Sequence, residues 1–126
     1  MKVLNVIETA YRATLEEQDD TIVWLSHALK GAGAELDVLL RANAANYAVK
    51  AQSVVPLAFG ERQQKSAPHI ADDITGLIGK GVAVYVVEED LADRGIESEE
   101  LLDGLKTLSG KQMPKLFAGY DQVWHW

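Results

Sequence analysis

The chain has 126 residues, 48% hydrophobic and 25% charged, which fits one globular domain spanning 1-126 and excludes a disordered or collagen-like chain. It contains no cysteine, so a thiolate nucleophile, a persulfide carrier, a redox pair and a thiolate metal site are all excluded from this polypeptide. With 19 acidic and 12 basic side chains the net charge is -7, which repels phosphate backbones and anionic lipid, so neither nucleic acid nor a membrane is an expected partner.

Val3 to Ile7 is an apolar run rich in β-branched residues and predicts the first strand. That run is too short for a signal-peptide core, and no long uncharged stretch follows anywhere, so a cytoplasmic location is expected. Ile22, Leu25, Ala28 and Leu29 fall at helical spacing, with Asp19 or Asp20 available as the N-cap and Gly31-Ala32-Gly33 as the stop. Leu36 to Leu40 predicts a second strand, and Asn43 to Gln52 a weak helix opened by an Asn cap. From Ser53 to Pro68 the pattern lapses around Pro56 and Gly60, a long connection of the kind that forms a lid, an oligomer contact or a short undetected helix.

Ile70, Ile74, Leu77 and Ile78 make one apolar stripe on a helix that stops at Gly79-Lys80-Gly81. Val82 to Val87 is apolar without alternation, as expected of a central parallel strand covered on both faces. Ser98 to Leu108 predicts a short helix with an acidic start, Lys115 to Tyr120 a helical turn after Pro114, and Gln122 to Trp126 a terminal strand. Strands alternating with helices imply a doubly wound α/β domain, three layers α/β/α around a mostly parallel sheet.

In such sheets ligands bind beyond the carboxyl ends of the strands, which directs attention to the loops after Ile7, Leu40 and Val87. After Val87 come Glu88, Glu89, Asp90, Asp93, Glu97, Glu99, Glu100 and Asp103 against the single Arg94. Consecutive carboxylates suit a hard cation, but acidic runs ordinarily form a solvated face or helix-start charges, and no metal is expected. The loop Thr9-Ala10-Tyr11-Arg12-Ala13-Thr14 lacks the glycines that let a backbone approach a pyrophosphate, so no cofactor is expected; Tyr11 and Arg12 remain as contacts for a small anion. His27, His69 and His125 show no ligand spacing, and no serine stands in a nucleophile elbow, so no catalytic residue is assigned. Trp24, Trp124 and Trp126 read as core or interface aromatics.

Gly81-Val82, Asp93-Arg94-Gly95-Ile96, Leu101-Leu102-Asp103-Gly104-Leu105 and Tyr120-Asp121-Gln122-Val123, in that order and spacing, resemble the DsrE/DsrF-like family of sulfur-relay proteins. The likeness covers nearly the whole chain and rests mainly on its last third. It implies a flavodoxin-like or Rossmann-like domain that assembles as a homotrimer or homohexamer and, in many relatives, passes sulfane sulfur between cysteines. The family's sulfur-carrying cysteine falls at Val87 and a second cysteine position at Asp90, and valine forms no persulfide. The resemblance therefore implies a non-catalytic subunit or accessory protein of sulfur transfer working beside a cysteine-bearing partner, with Arg94, Gly95 and Asp103 keeping the shape of the site. The alternative is a small-molecule-binding protein or cysteine-independent enzyme that has repurposed this pocket. Its candidate contacts are Tyr11, Arg12, Val87, Glu88, Asp90, Arg94 and Gly95.

Overall fold

In the computed structural model, which describes residues 1–12, 14 and 19–126, the apolar runs assemble into a five-stranded parallel sheet. Its strands are β1 (Lys2–Ile7), β2 (Glu35–Leu40), β5 (Val84–Val87), β6 (Lys106–Leu108) and β7 (Gln122–His125). Their spatial order is β6-β5-β2-β1-β7. A separate two-stranded hairpin, β3 (Ala58–Phe59) and β4 (Arg62–Gln63), lies within the long connection.

The two faces of the sheet are unequally covered. Val3, Ile7, Val38, Leu40, Val84 and Val86 point to the larger core, where α1 (Thr21–Gly31), α2 (Ile70–Gly79) and α3 (Glu88–Asp93) pack. Alternation sends Leu4, Val6, Leu39, Val87 and Leu108 to the other face, beneath α4 (Met113–Phe117) and Tyr120. β2 thus contributes to both apolar clusters, with Leu36, Val38 and Leu40 on one face and Leu39 on the other, where Asp37 also lies. No helix among the described residues is long and apolar enough to cross a membrane.

Asp20, one of the two expected caps, starts α1: its Oδ1 accepts from the amides of Ile22 and Val23 at 2.9 and 3.0 Å. The buried side of α1 differs from the expected stripe, because Ile22, Val23 and Ser26 are buried while Ala28 is exposed. Ser26 is tolerated there because Asn5, fully buried on β1, donates to its Oγ at 3.0 Å, and Ser26 donates in turn to the Ile22 carbonyl at 2.8 Å. Trp24, expected in a core or an interface, is 56% exposed in the chain.

Three further expectations are corrected, and one open alternative is decided. The weak helix expected over Asn43 to Gln52 is a shorter 3-10 helix, Ala42–Ala48, and Arg41 rather than an Asn precedes it, without a side-chain cap. The connection from Ser53 to Pro68 holds the hairpin, with Gly60 at φ +61 in its turn, rather than a helix. Ser98 to Leu108 is a 3-10 turn at Ser98–Glu100 followed by the edge strand β6. Finally, the strand expected at the centre, β5, lies one place from it, and β2 is the middle strand. A three-residue strand is too short to show a period, and its position depends on pairing with β5.

Candidate functional site

The chain proceeds from β1 through β2, β5 and β6 in one direction across the sheet, then returns to place β7 on the opposite side of β1. The reversal falls between β1 and β7, where a doubly wound sheet opens a crevice at the strand carboxyl ends. Three side chains meet there. Glu8 Oε1 lies 3.1 Å from His125 Nε2 and 2.9 Å from Arg41 Nε. The Arg41 Nε contact is an ion pair without hydrogen-bond geometry, while the Arg41 backbone amide donates to the Ile7 carbonyl at 3.0 Å. Glu8, Arg41 and His125 escaped the sequence reading because they follow or end three strands far apart in the chain, and only the parallel pairing aligns them.

On the other side of β2 the 3-10 turn organises the rim. Ala42 takes φ +49 and directs its amide to Asp90 Oδ2 at 2.7 Å, while Asn43 Oδ1 accepts from Arg94 at 2.9 Å. Arg94 also donates to the Asp90 carbonyl at 3.1 Å. Tyr47, in the same turn, is fully buried; its hydroxyl accepts from the Tyr11 amide and donates to Asp20 Oδ2 at 2.7 Å. Burial, and then the neighbouring Asp20 carboxylate, push the Tyr47 phenol far above its ordinary value, so this hydroxyl remains a donor. Tyr11 stands edge-on to Tyr47 with ring centroids 5.2 Å apart and φ +59. Tyr11 and Ala42 are the non-glycine residues at positive φ among those described, and both lie directly beyond carboxyl ends of central strands.

The acidic run after β5 diverges instead of converging. Glu89 Oε2 accepts from the Gly110 amide at 2.8 Å on the β6 side, whereas Asp90 serves Ala42 on the β2 side. These carboxylates staple neighbouring loops to the start of α3.

The expected site residues are therefore distributed. Glu88 and Gly95 line a cleft of ≈ 440 Å³ floored by Leu91, Ile96 and Leu101. Arg94 and Gly95 line a neighbouring cleft of ≈ 460 Å³ with Asn46, Lys50 and Glu99. Gly95 separates the two at φ +64, a left-handed turn that closes α3. Asp90 lies beside them with Oδ2 already engaged, and Tyr11 is held across the turn by Tyr47. Arg12 is exposed, and Ala13 of the same loop lies outside the described residues. Val87 points away from both clefts into the core beneath α4, 3% exposed.

Among the histidines, His27 joins two helices: Nε2 meets the Asp73 carbonyl at 2.8 Å and Nδ1 the Lys80 ammonium at 3.0 Å. A carbonyl only accepts and an ammonium only donates, which assigns the proton to Nε2. His69 precedes α2 without capping it.

The chain matches no family model, and no curated protein matches it. Solved structures do match. YchN of E. coli superposes at a TM-score of 0.72 with 16% identity, covering 100% of both chains. BT1422 of Bacteroides thetaiotaomicron, a conserved protein of unknown function, gives 0.66 with 9% identity over 99% of this chain and 95% of its own. MTH1491 of Methanobacterium thermoautotrophicum, also of unknown function, gives 0.61 with 13% identity over 96% and 95%. The chain has the fold of these proteins. At such identities the likeness extends to architecture and stops short of chemistry.

Proposed function

We propose that this protein is a DsrE/DsrF-like chain that acts without a sulfur-carrying cysteine, as a non-catalytic subunit or accessory protein of intracellular sulfur transfer. The observation that carries the reading is Val87. It occupies the end of β5, where the resemblance puts the persulfide cysteine, and its side chain is packed with Leu4, Val6, Leu39 and Leu108. A position that presents sulfur needs an exposed thiolate. Here the side chain has no ionisable group and faces the interior. The full-length likeness to YchN supports the fold that this reading requires. In it, Arg94, Asp90 and Asn43 preserve the shape of the rim through bonds within the chain, and the protein contributes assembly to a homotrimer, a homohexamer or a complex with a cysteine-bearing paralogue.

Native mass spectrometry of the protein taken from its own cells tests this. The expected spectrum contains a cysteine-bearing paralogue of similar size. A monomer with no such companion overturns the reading. A homo-oligomer that retains a discrete small molecule favours instead a repurposed binding site or cysteine-independent enzyme at the two clefts beside Gly95. In that case Arg94→Ala releases the molecule.

A further inference from the structure

A third cleft, of ≈ 410 Å³, lies on the thinly covered face of the sheet, between α4 and strands β5 and β6. Its size is within the range that holds a small organic ligand. Its charge is opposite to that of the molecule. The chain carries -7 overall, and the clefts beside Gly95 are edged by Glu88 and Glu97 or by Glu99 and Glu100. The third cleft has Lys2 and Lys115 in its wall and no carboxylate. Lys106 adds a third ammonium, 5.6 Å from the centroid of the Tyr85 ring that lines the same cleft.

Asp37, which touches the lining residues Lys2 and Tyr120, is already committed. Its Oδ1 accepts from the Ala83 amide at 2.8 Å, and its Oδ2 accepts from Tyr120 at 2.7 Å and lies 3.2 Å from Lys2 Nζ. Lys2 is thereby neutralised. Lys106 and Lys115 have no ion pair among the described residues and stand on an otherwise acidic protein, a local field that attracts anions. Leu108 and Leu116 supply an apolar wall. Gln112 uses its Oε1 to accept from the Ser109 amide, which leaves its NH₂ to donate.

We propose that this cleft binds a small amphipathic oxyanion, its acidic group between Lys106 and Lys115 and its apolar body against Leu108 and Leu116. Carboxylates and phosphate esters share this chemistry, and the test separates them. Benzoate and phenyl phosphate are titrated into ¹⁵N-labelled full-length protein, with benzyl alcohol as the neutral control. For probes of this size Kd is expected near 1 mM, that is about -4 kcal/mol. Amide shifts are expected at Thr107, Leu108, Gln112 and Lys115 with the anions, weakening as salt is added. The tighter of the two anions identifies the preferred headgroup. Lys115→Glu and Lys106→Glu, both at exposed positions, are expected to weaken binding at least about tenfold while leaving amides of the larger core unmoved. The proposal is overturned if benzyl alcohol shifts the same amides equally, if neither anion shifts them at ten times the expected Kd, or if binding survives both charge reversals.

Discussion

Asp37 stands between Leu36 and Val38 in β2 and is nonetheless buried. Burial raises the pKa of its carboxyl, but the hydrogen bonds from Tyr120, Ala83 and Lys2 outweigh burial and hold it below the ordinary value of 3.8. A depressed folded-state pKa stabilises the fold above the unfolded value, and that contribution is lost as pH falls through the lower folded value. Asp37→Asn is therefore expected to flatten the acid limb of the stability curve below pH 3.8, measured by urea denaturation across pH. Tyr47→Phe removes the hydroxyl that joins the Tyr11 amide to Asp20, and takes from buried Asp20 the hydrogen bond to its Oδ2 while the Ile22 and Val23 amides keep its Oδ1. A loss of about 1–3 kcal/mol is expected, read from the urea midpoint at constant m. Neither role was legible in the sequence. A tyrosine in a run of small residues and an aspartate in a strand acquire meaning only from partners 27 and 83 residues away.

At the scale of elements, the sequence reports best where a period runs long enough to be seen. The stripe of α2 was legible: Ile70, Ile74 and Leu77 are buried as its spacing predicts, and Ile78 is half-buried against the same core. The region after α3 was misread because charged residues at Glu97, Glu99 and Glu100 imitate a helix start. There the 3-10 turn is closed by a reciprocal pair, Glu97 with Glu100, and the chain then leaves it in extended form. The Leu102 amide donates to the Ala48 carbonyl at 2.8 Å, and Gly104 turns the chain into β6. Gly104 holds φ +86, and a Cβ there would stand 2.9 Å from Ile78 Cγ2. Gly104→Ala is expected to cost about 1–3 kcal/mol from backbone strain, and crowding of Ile78 adds to it. Thermal unfolding measures this, while Gly79→Ala, with open space at its Cβ, provides the mild comparison.

For the whole molecule, the strand order decides both stability and where ligands can reach. β2 is paired with β1 over its full length and with β5 from Val38 to Leu40, and each of its faces meets an apolar cluster, whereas β6 and β7 are edge strands of three and four residues. Native-state hydrogen exchange is expected to be slowest in β2 and β1 and fastest in β6 and β7, because edge amides open without global unfolding. Equal protection across all five strands would show instead that both edges are covered by other subunits.

Composition, the lack of cysteine and the long apolar periods determined, without any structure, that this is a parallel α/β domain with no thiol chemistry of its own. Those properties are local or additive, so they can be read one segment at a time. Tertiary structure alone decided that Val87 turns inward, that Glu89 and Asp90 staple different loops, that Glu8, Arg41 and His125 meet, and that lysines from opposite ends of the chain surround one cleft. Each of these depends on strand register and on which face of the sheet a side chain occupies. A shift of one residue would reverse every such face, and no short stretch of sequence carries that information.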